Sequence, residues 1–260
     1  MVHRLEEGAA VIATQKKTGM VFQVGSQGVS SIVTAKAREI VASKTIGDLV
    51  LVETWNDRQG PSGAWQYSIP RDANTRTVDW ENFLGDAPKV PIDPVRFFRW
   101  RNYQDYGTGV AGDLYVHMLS MLHFVTSSKG PNRVMSTGGL RYWNDGRDVP
   151  DVHLGLFDYP KTAQHPAFNL ALRTNLASGG GDNYLFHIVG SEGDISIGWD
   201  NLVVRRTPFP EAPGMSINSF PEAMQEAYKR EYNQKYGARA EMAAAAEARG
   251  IGTASIGPGM

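Results

Sequence analysis

Six segments rich in apolar and β-branched residues follow one another between Arg133 and Arg206: RVMSTGG, DVHLGLFDY, FNLALRTNLA, NYLFHIVG, DISIGW and NLVVRR. Turn residues such as Asn144-Asp145-Gly146 and Ser191-Glu192-Gly193-Asp194 separate them. Strands joined by such short connections pair antiparallel, because a parallel pair needs a long crossover between its members. The chain is therefore committed to a mostly antiparallel sheet. One face of such a sheet packs on helices, and the other is available to a second subunit. LVLVETW, from Leu49 to Trp55, alternates well enough to add another strand. The GGGD run from Gly179 to Asp182 lies between two of these strands and reads as a flexible hairpin, not as a phosphate cradle.

The beginning of the chain has a different rhythm. Residues 2–18 predict an amphipathic helix with Leu5, Ala9, Ile12 and Ala13 on one stripe, stopped by Gly19. MVFQVG, residues 20–25, predicts a short buried strand of the parallel kind. Ser30 or Ser31 is placed to cap a helix over 32–43. Helix, strand and helix in that order form the end of a doubly wound α/β unit. Residues 56–94, rich in Pro, Gly, Asp and aromatics, predict a long irregular segment wrapping the site or a partner subunit. Its Trp65 and Trp80 read first as buried anchors and second as stacking surfaces for a sugar. Phe220–Arg249 predicts a helix, and the glycine-rich tail IGTASIGPGM predicts disorder.

Chemistry concentrates between Arg96 and Val125, RFFRWRNYQDYGTGVAGDLYVHMLSMLHFV. Asp113 and His117 are four residues apart, which on an α-helix puts both on one face within mutual reach. A carboxylate beside an imidazole fixes its tautomer and raises its basicity, which suits a general acid/base. The same pair also occurs as an inert helix-face contact. Arg101 either grips a phosphate or sugar oxygen while Trp100 stacks, or pairs with Asp105 or Asp113 to hold the loop. Gln27, after the strand that ends at Gly25, and Tyr106, in the glycine turn, are candidate substrate contacts. His123, followed by Phe124 and Val125, reads as a packed histidine. His117 and His123 fall on different helix faces, and no HxxxH or HExxH set is present, so no metal site is expected.

Composition removes several classes. The chain has no cysteine, so disulfides, thiolate metal sites and a cysteine nucleophile are excluded. A net charge of −1 gives no general pull toward nucleic acid or an anionic membrane. No apolar run approaches the ~20 residues of a membrane helix, and no export signal is evident, so the chain as written is expected in the cytoplasm with its compartment otherwise open.

The stretch WRNYQDYGTGVAGDLYVHMLSMLH, together with VGSQ at 24–27, VDWENFLG at 78–85, APK and DGRDVPD, resembles the Gfo/Idh/MocA (glucose–fructose oxidoreductase/inositol dehydrogenase) family of NAD(P)-dependent sugar oxidoreductases. The resemblance covers most of residues 2–206. It implies an α+β chain: a remnant of a Rossmann α/β dinucleotide-binding domain over 1–45 and a substrate and oligomerisation sheet domain with helices on one face over 46–206; residues 207–260, the helical segment with its disordered tail, depart from the family's pattern. It implies that His117 acts on a substrate hydroxyl, with Asp113 as its catalytic partner and Trp100 and Arg101 near the cofactor. It also implies a homo-oligomer formed through the sheet. Many relatives carry Arg after the Gln matched here by Gln27; Gly28 in its place weakens that contact.

No GxGxxG turn lies near the N-terminus, and the family's ribose-reading acid and Glu-Lys-Pro motif, which would precede this point, find no match there. The resemblance thus predicts a chain truncated at its N-terminus that binds no NAD or NADP and is inactive alone, while the intact architecture oxidises a sugar or polyol. Two other functions fit the same residues: a non-catalytic oligomerisation or carbohydrate-binding module, and an NAD-dependent glycosidase. Residues 2–45 are expected to be the least stable part and 46–206 the most stable.

Overall fold

The computed structural model describes residue 2 and residues 4–207, 213–248 and 253–256. Helix α1 (Leu5–Thr18) stops as expected where Gly19 adopts φ +66° and donates its N–H to Gln15 O at 2.9 Å. No residue of α1 is buried. The strand expected at 20–25 does not form, and Met20, Val21, Phe22 and Val24 are exposed. A strand is held by its ladder neighbours, and none pairs with this stretch among the described residues. The apolar run alone was insufficient. Ser31 then caps α2 (Ile32–Ala42) by accepting the Val33 N–H at 3.2 Å. Val33, Ala37 and Ile40 form the buried stripe of α2.

Strand β1 (Leu49–Asp57) is central to the sheet. The others are β2 (Arg133–Gly139), β3 (Val152–Tyr159), β4 (Phe168–Asn175), β5 (Asn183–Gly190), β6 (Gly193–Ile197), β7 (Leu202–Arg206) and β8 (Thr253–Ile256). Their spatial order is β2-β3-β4-β1-β5-β6-β7-β8. Every neighbouring pair is antiparallel except β1 and β4, which run parallel. The chain between those two is long enough for a crossover, which is what a parallel pair requires. The mostly antiparallel sheet is as the strand runs dictate.

Two local expectations fail for topological reasons. Gly179–Asp182 does not close a hairpin, because β1 lies between β4 and β5 and the connection must cross it. The tail is not disordered at Thr253–Ile256, which pairs with the free edge of β7 from Leu202 to Arg205. Thr and Ile favour extended backbone, and an unpaired edge is a ready template. The rest of the tail lies outside the described residues.

The 56–94 segment is more structured than its composition suggests. It contains α3 (Gly60–Gly63) and α4 (Trp80–Leu84), and α5 (Pro94–Phe98) begins at its end. Val78, Trp80 and Leu84 make a small second core with Phe83, Phe97 and Tyr106 packed on it. The Trp80 indole donates to Val90 O at 2.8 Å. Trp65 is buried in the main core. Both tryptophans are anchors.

A π-helical turn (Ala111–Tyr115) leads into α6 (Val116–Thr126), and α7 (Glu222–Ala248) supplies the expected C-terminal helix. Met118, Leu122 and Val125 of α6 share one core with Val52, Leu170 and Ile188 of the sheet and with the α2 stripe. Alternate residues point to the opposite face, where Met135, Leu154 and Leu156 are about half exposed and line an apolar groove of about 450 Å³ with Trp55, Ala171 and Arg173. Helices therefore cover one face of the sheet, as expected.

Candidate active site

A cavity of about 420 Å³ opens between the helical layer and the end of β1, and Gln27, Arg58, Arg101, Asp113, His117 and Tyr184 are among its walls. It gathers residues that are far apart in sequence. Gln27 comes from a 3₁₀ turn (Gln27–Ser30) held to α6 by a Ser26 Oγ–Ser120 Oγ hydrogen bond of 3.1 Å. Gly28 lies so close to α6 that a Cβ there would stand 2.7 Å from Met121 Sδ. The short residue lets the turn seat against the helix.

Asp113 lies in the π-helical turn and not in the regular α-helix that its spacing from His117 assumes. A π turn changes the registry from i→i+4 to i→i+5. The Arg101 Nε donates to both Asp113 oxygens, at 3.1 and 3.2 Å. His117 Nδ1 is buried and has no hydrogen-bond partner in the structure. The expected carboxylate–imidazole pair is thus replaced by a carboxylate–guanidinium pair, although both residues reach the same cavity.

The two readings of Arg101 are partly resolved by these bonds. Asp105 is taken by Arg96, at 3.1 Å, and Asp113 by Arg101. The Arg101 guanidinium also lies 4.4 Å from the centre of the Trp100 ring. Trp100 packs on Gly107 and is not among the cavity walls. Tyr106 is also elsewhere: its ring belongs to the second core and its hydroxyl accepts from Arg96 Nη1 at 3.3 Å. Of the residues singled out in the sequence, Gln27, Arg101, Asp113 and His117 come together; Trp100 and Tyr106 do not.

Sequence reasoning missed Arg58, Tyr184 and Trp199. Arg58 follows the C-terminal end of β1, a position where strand ends commonly present ligand-binding groups. Its Nε donates to Asn56 Oδ1 at 3.1 Å. Burial pulls the Arg58 pKa below the ordinary arginine value, and the nearby Asp113 carboxylate opposes that shift. Burial pushes the Tyr184 phenol up to about 12, so it stays protonated and donates to Met121 Sδ at 3.3 Å. Trp199 is 74% exposed and stacks on Tyr184 with centroids 4.5 Å apart.

No family model matches the sequence, and no curated protein matches it. Solved structures do. A super-repressor mutant of Gal80p from Saccharomyces cerevisiae superposes with a TM-score of 0.55 at 14% identity, over 79% of this chain and 48% of that one. A levoglucosan dehydrogenase in complex with NADH and levoglucosan gives 0.54 at 18% identity, over 80% and 49%. The WlbA dehydrogenase from Bordetella pertussis, in complex with NADH and UDP-GlcNAcA, gives 0.53 at 11% identity, over 76% and 48%.

The fold is shared with these structures, which are of the Gfo/Idh/MocA type. At these identities the likeness concerns fold alone, and the chain spans about half the length of the structures it matches. Among the described residues, the GxGxxG run at 107–112 follows a turn and not a strand, and the helix after β1, α3, is only four residues long. No lysine lines the cavity. Among the described residues, no helix is long and apolar enough to cross a membrane and no group of three or more His, Asp or Glu could hold a metal ion.

Proposed function

We propose that the His117 cavity is the substrate-facing half of an NAD(P)-dependent oxidoreductase that acts on a sugar or polyol hydroxyl. The observation that carries this reading is the gathering of Gln27, Arg101, Asp113 and His117 around one cavity, within a fold shared with NADH-bound dehydrogenases. NAD(P), when bound, supplies the hydride acceptor. His117 exchanges the hydroxyl proton, Gln27 donates to or accepts from a neighbouring hydroxyl, and the Arg101–Asp113 pair fixes the wall against which the ring sits. In this reading residues 1–45 form the end of a dinucleotide-binding domain, and residues 46–206 form the substrate and oligomerisation domain. The chain by itself does not turn over, because no described residues cradle the cofactor.

The reading is tested by titrating the protein with aldoses, polyols and, as controls, amino acids, while following the His117 imidazole resonance by NMR. Sugars or polyols should move that resonance saturably. If none did in a folded sample, the cavity would not be a sugar site.

A second role is favoured by the exposed face of the sheet. Met135, Leu154 and Leu156, with Trp55, form an apolar groove. We propose that this face pairs two copies of the chain, and the same surface would support a non-catalytic assembly function.

A further inference from the structure

Among the described residues, Arg58 is the guanidinium of the cavity that forms no direct ion pair with a carboxylate. Asp113 is bonded to Arg101. Asp57, next to Arg58 in sequence, is bonded to Arg173 at 2.8 Å. Asp182 accepts the Gln59 backbone N–H at 2.5 Å. Among the described residues, Arg58 donates only to neutral acceptors: Asn56 Oδ1 at 3.1 Å and Gly63 O at 3.5 Å. Asp113 and Asp182 act on it only through space, without a direct ion pair, and it stays charged because arginine does not deprotonate in proteins. The wall around His117 thus carries Arg58 and Arg101 against Asp113 alone, an excess of one positive charge.

The position of Arg58 adds to its charge. A second compartment of about 670 Å³, reaching Gln59, Asp182 and Asn183, shares Asn56, Arg58, Tyr67, Tyr184 and Trp199 with the His117 cavity. Arg58 therefore stands at the junction of the two. Trp199, stacked on Tyr184 and largely exposed, offers an indole face at the same junction. A sugar ring lying on that face would have a reacting hydroxyl toward His117 and a substituent toward Arg58.

We propose that the substrate of this site carries an oxyanion, a carboxylate or a phosphate on the sugar, which Arg58 grips while His117 meets the reacting hydroxyl. The inference rests on the oxidoreductase reading for the role of His117, and on the unclaimed guanidinium for the anion. A planar guanidinium fits either oxyanion with two parallel N–H bonds. Asp182, whose charge acts on Arg58 from the outer compartment, opposes the anion and sets an upper limit on its affinity.

Isothermal titration with glucose, glucuronate, glucose 6-phosphate and inorganic phosphate tests this on the chain as it stands. Charge-assisted bonds of this kind predict that one anionic sugar binds about 10- to 100-fold more tightly than glucose. Preference for glucuronate identifies a carboxylate, and preference for glucose 6-phosphate a phosphate. Arg58→Gln should erase the preference and Arg58→Lys should keep part of it. If Arg58→Gln fails to fold, Asp182→Asn replaces it and should raise the preference for the anionic sugar over glucose several-fold. Equal binding of neutral and anionic sugars, or a preference that both variants leave unchanged, overturns the anion assignment and leaves the sugar reading intact. Inorganic phosphate bound as tightly as the anionic sugars overturns it too. Failure of every sugar to bind overturns both.

Discussion

Arg101 and Asp113 are joined by two bonds from one nitrogen, Nε to Oδ1 at 3.1 Å and to Oδ2 at 3.2 Å, on the wall that also carries His117. The π turn that holds Asp113 and the 3₁₀ turn (Trp100–Asn102) that holds Arg101 are thereby tied together. Both side chains are about a quarter to a third exposed, so solvent screening limits the strength of the pair. A double-mutant cycle of Asp113→Asn and Arg101→Gln should show a coupling of about 0.5–1 kcal/mol in urea unfolding. The corresponding cycle of Asp113→Asn with His117→Asn should show almost none. Strong coupling in the second cycle would restore the direct carboxylate–imidazole pair.

Stability should be concentrated in the sheet. Ile188 is fully buried in β5 and Leu5 is 89% exposed on α1. Ile188→Ala should cost about 2–4 kcal/mol, the usual range for emptying a packed core position, and Leu5→Ala close to nothing. Amide exchange should be fast over residues 2–25 and slow in β1, β4 and β5. Comparable costs for the two substitutions would mean that α1 packs on something in solution.

Acid should weaken the fold through His123. Its Nε2 lies 3.0 Å from the Tyr159 hydroxyl, and burial holds its pKa below the ordinary histidine value. The folded state therefore resists protonation while the unfolded chain accepts it. Stability is intact above the unfolded value of about 6.5 and falls as pH drops from there toward the lower folded value. His153 is shifted the same way by burial and adds to the slope. His123→Gln, which keeps a polar partner for Tyr159 without a titrating group, should flatten but not abolish this dependence in urea melts between pH 5 and 7.

Charge on the open sheet face should separate the proposed copies. Leu156, 53% exposed beside Met135 and Leu154, lies in the apolar groove. Leu156→Arg should shift the mass by light scattering from an oligomer to a monomer with little change in unfolding midpoint. A wild-type chain that is already monomeric at tens of micromolar would remove this face as an interface.

Cofactor binding should be weak or absent in the chain as it stands. Titration with NADH and NADPH, followed by nicotinamide fluorescence, is expected to give no saturation in the micromolar range. Saturable binding would show that the described elements hold a pyrophosphate without the strand–GxGxxG–helix unit of a dinucleotide-binding domain.

The strands from Arg133 onward were readable because alternation and turn residues are local signals, and short connections leave antiparallel pairing as the only choice. The Gly19 stop, the Ser31 cap and the helices that follow were readable for the same reason. Positions 20–25 were not, because an apolar run is compatible with a strand but only ladder partners make one. The insertion of β1 between β4 and β5, and the pairing of Thr253–Ile256 with β7, are decided by which edges lie free in three dimensions.

The site divides along the same line. Sequence by itself marked Gln27, Arg101, Asp113 and His117, since residue type and motif order carry that information. It offered the Arg101–Asp113 pair only as one alternative, and could not show that Asp113 lies in a π turn, that Tyr106 belongs to a separate aromatic core, or that Arg58 arrives from the end of β1. Those are facts about distance between segments remote in sequence. Partner choice among charged groups is set by which of them the packed sheet and helices bring within about 3 Å of each other.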